Sequence, residues 1–243
     1  MNIVVVVTGA SRGIGAATAL LLAKKGYKIC INYKNNRKLA ESLVNIISQQ
    51  GGFAKSFQAD VSKEVEVNKL IDFTNAELGA VTHLVNNVGI LQKQSQLVEL
   101  SEDRINHILS NNVTSYFLCS KAALATMKSG SAIVNVGSAA SRLGAPNEYI
   151  DYAASKGAID SLTKGLSLEV APQNIRVNCV RPGLIETGIH ADGGESDRAI
   201  RTGKSLPLGR SGKPEEVAQA IAWLLSDEAS FVTGSFIDLA GGA

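Results

Sequence analysis

The chain has 243 residues, 45% hydrophobic and 19% charged, a composition that suits a globular domain able to bury a core without disulfide or metal staples. Twenty-four Lys and Arg against 22 Asp and Glu leave a formal charge of +2, which argues against a nucleic-acid or anionic-membrane binder. Cys30, Cys119 and Cys179 form no Cys-x-x-Cys, and His83, His107 and His190 are scattered, so neither a disulfide framework nor a metal site is expected.

Residues 3–8 form a continuous apolar run, the pattern of a strand buried on both faces. No basic segment precedes it and it is far too short for a signal or membrane-spanning core, so a cytoplasmic protein is expected. A helix over 13–25 follows, stopped by Gly26. A strand at 28–32 leads to a helix at 37–50, and a strand at 54–58 leads to a helix at 63–77. Strand four is predicted at 83–86, a long helix at 102–127 and strand five at 132–136. A helix at 152–171, closed by Pro172, leads to strand six at 176–180. A helix at 214–226, with Pro214 in its first turn, leads to strand seven at 235–239. This alternation predicts one α/β domain over residues 1–243: a doubly wound, Rossmann-type sandwich with a seven-stranded, mostly parallel sheet and helices on both faces. The glycine-rich stretch 184–213 has no clear periodicity and is expected to be a substrate lid.

Thr8-Gly9-Ala10-Ser11-Arg12-Gly13-Ile14-Gly15 joins the first strand to the first helix. A helix N-terminus there aims free N–H groups and partial positive charge into the crevice beyond the strand ends, where a pyrophosphate fits. Gly9 suits the tight turn, Gly13 the approach of backbone to phosphate, and Gly15 close helix–strand packing. The spacing is neither the usual dinucleotide fingerprint nor a P-loop, and a plain tight turn is the alternative. Strand two ends Asn32-Tyr33-Lys34, and no carboxylate appears between Gly15 and Glu41 to receive an adenosine 2′-hydroxyl. Arg12, Lys34 and Arg37 could instead meet a 2′-phosphate, so NADP(H) is favoured over NAD(H).

Tyr152 and Lys156 stand one helical turn apart among Ala153, Ala154, Ser155, Gly157 and Ala158. An ammonium near a phenol stabilises the phenolate, and such a pair can donate and accept a proton near neutral pH. Lysine is therefore expected to lower the tyrosine pKa.

These pieces together resemble the short-chain dehydrogenase/reductase family over nearly the whole chain, with glucose 1-dehydrogenase-like and 3-oxoacyl-carrier reductase-like members most similar. The motifs, in order, are the Thr8–Gly15 turn, Asp60-Val61, Asn86-Asn87-Val88-Gly89, Asn112, Ser138, Tyr152-x-x-x-Lys156 and Pro182-Gly183-Leu184-Ile185-Glu186-Thr187. Val88 stands where the family has alanine, and the interval from Ser138 to Tyr152 is one residue longer, with the loop 144–148 expected to absorb it. The resemblance implies that Tyr152 is the general acid or base, that Lys156 holds the nicotinamide ribose, and that Ser138 binds the substrate oxygen. Asn112, an unusual residue for a helix interior, would orient a water in a proton relay toward Lys156. Ser141 and Asn111 are the rivals of Ser138 and Asn112. Gly9, Ser11, Arg12, Gly13, Ile14, Gly15, Asn32, Tyr33 and Lys34 would bind the phosphates and adenosine ribose, and Asp60 and Val61 the adenine. Asn87, Val88 and Gly89 would line the nucleotide, with Pro182, Gly183, Ile185 and Thr187 over the nicotinamide. The implied activity is metal-free hydride transfer between NADP(H) and a small carbonyl or alcohol, with no nucleic-acid or membrane partner. A catalytically silent NADP(H)-binding sensor is the alternative. A homotetramer is implied too, built on the helices at 102–127 and 152–171 and on the last helix and strand.

Overall fold

The computed structural model describes residues 3–243. Its strands are β1 (Val4–Val7), β2 (Lys28–Tyr33), β3 (Phe53–Gln58), β4 (His83–Asn86), β5 (Ala132–Val136), β6 (Arg176–Pro182) and β7 (Phe236–Leu239). They form one sheet in the order β3-β2-β1-β4-β5-β6-β7. Every neighbouring pair is parallel, so the sheet expected to be mostly parallel is wholly so. The larger helices are α1 (Gly13–Lys24), α2 (Arg37–Gln49), α3 (Glu64–Glu77), α4 (Glu102–Leu109), α5 (Ser115–Leu124), α7 (Ile150–Val170) and α10 (Pro214–Leu225). Short helices are α6 (Ala140–Leu143), α8 (Ile189–Asp192) and α9 (Arg198–Gly203). None of the described helices is long and apolar enough to cross a membrane.

Strand alternation explains the two cores. Val5 and Val7 of β1 pack with Leu22, Leu43 and Ile221 on one face, and Val4 and Val6 pack with Leu70, Cys119 and Ile133 on the other. Both sets are buried, so the strand reads as an unbroken apolar run. β1 pairs with β2 on one side and β4 on the other. The winding reverses between them, which opens a crevice at the carboxyl ends of the strands.

Three local features bear on the site, two of them departures from the sequence reading. The predicted helix 102–127 is broken by a wide π-type turn over Ser110–Thr114. There the buried Asn112 accepts a hydrogen bond from Ile90 N (2.8 Å) and donates to Ile90 O (3.1 Å) and Ser155 Oγ (3.2 Å). The wide turn holds a side chain that bonds to the neighbouring main chain, a frequent use of such bulges. The loop before α7 holds Gly144, Ala145 and Asn147 at φ 75°, 44° and 61°. Left-handed backbone at two non-glycine residues is uncommon, and it lies where the extra residue was expected.

The segment 184–213 is not structureless. It carries α8 and α9, elements too short for periodicity to reveal. Its two ends are stitched by Glu186 N donating to Gly212 O and Gly212 N donating to Leu184 O, both 2.9 Å.

Candidate active site

The glycine turn leaves β1 with Gly9 at φ 60° and Gly13 at φ 58°. A Cβ on Gly15 would lie 2.7 Å from Asn87 Nδ2 and 2.8 Å from Ala10 Cα, so only glycine allows this approach. Asn87 Nδ2 in turn donates to Thr8 O (2.9 Å) and Gly9 O (3.2 Å), which ties the end of β4 to the turn. Val88 packs on Gly9: a Cβ there would be 3.1 Å from its Cγ2. The first turn of α1 has no acidic residue and no side-chain cap. Its amide dipoles are therefore unopposed, as an anion site requires.

Asn32 is buried, accepting from Gly9 N (3.1 Å) and donating to Ala59 O (3.0 Å). Its amide therefore shapes the turn, and the residue also lines the cavity. Tyr33 and Lys34 line the same cavity, and Lys34 Nζ lies 2.7 Å from Asp60 Oδ2. Burial raises the pKa of Asp60, but hydrogen bonds from Lys34 and Ser62 outweigh it and hold the carboxyl below its usual value. Arg12 is paired with Asp192 of α8, so it links the glycine turn to the segment 184–213.

One continuous cavity of about 610 Å³ runs along the strand ends. It is lined by the expected residues Gly9, Ser11, Arg12, Gly13 and Ile14, by Asp60 and Val61, by Asn87 to Gly89, and by Ser138, Tyr152 and Lys156. Pro182, Gly183, Ile185 and Thr187 close over it, and Thr187 lies against Gly13. Gly15 and Asn112 shape this region from behind the lining.

Ser138 follows β5 and is buried; its hydroxyl accepts from Ala140 N (3.1 Å) and lies 3.5 Å from Pro182 O, near enough to Tyr152 to draw that phenol's pKa down. Its rival Ser141 donates to Ser138 O (2.9 Å), a local main-chain bond. Asn111, the rival of Asn112, lines the cavity but donates to His107 O (2.9 Å). The polar atoms of Asn112 face Ile90 and Ser155; none of its hydrogen bonds reaches Lys156.

Lys156 is 2% exposed. Its ammonium donates to Val136 O (2.8 Å) and Tyr116 Oη (3.2 Å), and the Tyr116 hydroxyl donates to Val136 O (2.9 Å). An ammonium has three donors, so one is left for the cavity. A Cβ on Gly89 would come within 3.4 Å of Nζ, and glycine keeps that approach open. Burial pushes the lysine pKa down to about 8, against smaller upward pulls from Cys179 and Asp160.

The sequence led us to expect that Lys156 depresses the Tyr152 pKa. Instead burial raises it, and only the Ser138 hydrogen bond pulls it down. The ammonium stands 5.7 Å from the Tyr152 ring centre and directs its bonds at Val136 and Tyr116. Tyr152 is thus a protonated phenol at neutral pH, suited to giving a proton. Tyr116 is the functional contact that sequence reasoning missed. It sits 40 positions from Lys156, and a tyrosine inside a helix carries no local signal of that bond.

At the far end of the cavity the segment 184–213 meets the loops before α4 and α7. Tyr149 Oη donates to Gly193 O (3.3 Å), Gln94 donates to Glu195 (3.3 Å), and Arg198 pairs with Glu148. Leu143, Pro146, Ile189 and Leu206 supply apolar wall. Cys30, Cys119 and Cys179 are buried free thiols, each pushed by burial to about 12, and are inert at neutral pH.

Residues 9–243 match a family model described as Enoyl-(Acyl carrier protein) reductase. An uncharacterized oxidoreductase of Escherichia coli, YgfF, is 57% identical over 98% of this chain and 99% of its own length. Glucose 1-dehydrogenase 2 of Bacillus subtilis is 37% identical over 98% of this chain and 93% of its own. Among solved structures, a short-chain dehydrogenase from Burkholderia cenocepacia in complex with NADP superposes with a TM-score of 0.91 at 33% identity, covering all of this chain and 98% of that one. Matches of this extent, on a chain that carries the glycine turn, the serine after β5 and the Tyr152–Lys156 pair in one cavity, make this protein an oxidoreductase of the short-chain dehydrogenase/reductase family.

Proposed function

We propose that the protein interconverts a small carbonyl compound and its alcohol using NADP(H). The convergence of Ser138, Tyr152 and Lys156 at one point of the cavity carries this reading. The bound dinucleotide supplies the hydride. Its pyrophosphate would lie on Gly9–Gly15 at the start of α1, its adenine near Asp60 and Val61, and its nicotinamide under Pro182–Thr187. Gly89 and the free N–H of Lys156 would meet the nicotinamide ribose. Ser138 would hydrogen-bond the substrate oxygen, and Tyr152 would deliver the proton as negative charge builds there. Asn112 would act from behind by holding Ile90 and the π-type turn; a water ordered there remains part of the reading.

NADP(H) over NAD(H) is supported by Arg12 and Lys34 at the cavity wall and by the lack of a carboxylate along Asn32–Asn36. The NADP complex of the Burkholderia relative agrees. We also infer a cytoplasmic homotetramer, in keeping with exposed Phe117 and Leu168 on α5 and α7 and exposed Trp223 and Phe231 near the chain end. Sedimentation as a monomer would refute the assembly alone.

The direct test follows loss of reduced-nicotinamide absorbance over a panel of ketones. Replacing Tyr152 by Phe is expected to lower kcat by about 10²–10⁴-fold while NADPH still binds. Full turnover in Tyr152→Phe would refute the mechanism. Tight NADPH binding without turnover on any carbonyl would favour the silent sensor.

A further inference from the structure

The charges along the cavity divide between its two ends. Arg12, Lys34, Asp60 and Lys156 lie on the glycine-turn side or beneath Tyr152. Beyond Tyr152, the lining holds Glu148 from the loop before α7 and Arg198 from the segment 184–213. These two are bonded to each other: Arg198 Nη1 donates to Glu148 Oε1 (3.1 Å) and to Glu195 Oε2 (3.2 Å), and Nη2 takes the other Glu148 oxygen. The guanidinium also lies 5.5 Å over the Tyr149 ring and is only 15% exposed. Glu195 is shared with Arg201 (3.2 Å), so two carboxylates balance two guanidinium groups.

His190 adds no charge. Its Nε2 bonds Ile185 O (2.9 Å), and burial pulls its pKa below the usual value. The Tyr149 hydroxyl is engaged by Gly193 O. The uncharged lining is largely apolar, with Ile90, Leu91, Leu143, Pro146, Ile189 and Leu206, and Asn111, Thr187 and Thr202 are polar exceptions.

We propose that the substrate is an uncharged carbonyl compound with an apolar body, and that the Glu148–Arg198 pair rejects anionic ones. This rests on the reading of Ser138, Tyr152 and Lys156 as the reacting end. An anion entering beyond Tyr152 would lose water, meet the Glu148 carboxylate and find its nearest cation already paired. A polyol would find few free hydrogen-bonding groups to replace water. An apolar ring or chain gains from the same wall.

The test uses one skeleton with and without charge: NADPH-dependent reduction of methyl 4-oxocyclohexanecarboxylate and of its free acid at neutral pH. The ester is expected to have the higher kcat/KM by about a hundredfold, the scale of an unpaired charge in a partly dry site. Glu148→Gln keeps the shape, removes the negative charge that faces the cavity, leaves Arg198 with Glu195 alone and should shrink that ratio about tenfold through better use of the acid. Glu195→Gln, off the cavity wall, removes the other carboxylate on Arg198 but leaves the two bonds to Glu148, and should shrink the ratio less. Turnover with the acid equal or preferred, or a ratio unmoved in both variants, overturns the substrate class alone. No turnover of either compound by the wild-type enzyme overturns the reading of the reacting end and the substrate class with it.

Discussion

Lys156 carries a charge at a cost to stability, and replacing it by Met measures that cost. The fall from the ordinary 10.5 to about 8 means that the folded protein disfavours the ammonium by about 3 kcal/mol, at about 1.4 kcal/mol per pH unit. Methionine matches the length of the side chain without the charge. Its loss of amine hydrogen bonds subtracts about 1 kcal/mol. No buried donor is orphaned, because Tyr116 still donates to Val136 O. Lys156→Met should therefore be the more stable protein at pH 7 by about 2 kcal/mol, or roughly 4–8 °C in Tm for a domain of this size, while turnover collapses. The pH dependence has a definite sign. Below about 8 both folded and unfolded lysines are charged and the full penalty applies. Between about 8 and 10.5 the unfolded chain holds more protons, so wild-type stability rises with pH relative to the variant. Thermal melts of both proteins from pH 6 to pH 11 follow the gap, which should stay constant and then close. A variant that melts below wild type at pH 7, or a gap that fails to narrow above pH 8, would show that the ammonium is not strained by burial.

Tyr116→Phe keeps the ring 5.1 Å from the ammonium and removes the hydroxyl that accepts from it. We expect kcat to fall about tenfold and the alkaline limb of the pH–rate profile to move to lower pH. A merely structural role would leave that limb in place. Gly15→Ala should destabilise by roughly 1–3 kcal/mol, since its Cβ meets main chain as well as Asn87; denaturant unfolding and an NADPH titration report both consequences. Arg12→Ala should weaken NADP binding by about tenfold and leave NAD within about twofold, because the partner it would surrender, Asp192, is an exposed ion pair of small worth. Calorimetric titration with the two dinucleotides measures the difference, and equal losses would remove Arg12 from 2′-phosphate recognition.

The parts of this molecule legible in the sequence are those fixed by near neighbours. The valines of β1 alternate between two buried faces, and the run Val4–Val7 says so directly. Gly9, Gly13 and Gly15 are spaced by the geometry of one turn, and Tyr152 and Lys156 by one turn of helix. What stayed hidden depends on contacts between distant elements. Nothing near Asn112 announces that its amide will hold Ile90, and the short helices α8 and α9 lie in a segment whose ends are stitched by Leu184 and Glu186 to Gly212 across 26 to 28 positions.

The direction of the Tyr152 shift is the instructive failure. Spacing alone put an ammonium near a phenol and implied a lowered pKa. Packing decides otherwise: Lys156 is drawn down between Val136 and Tyr116, and Tyr152 is left with burial and a serine. The two groups proposed to move the proton are thus both disfavoured in their charged forms by burial. A neutral phenol beside a reluctant ammonium favours carbonyl reduction, in which Tyr152 begins protonated. Alcohol oxidation, which needs the phenolate, should accordingly gain with rising pH, whereas reduction should not.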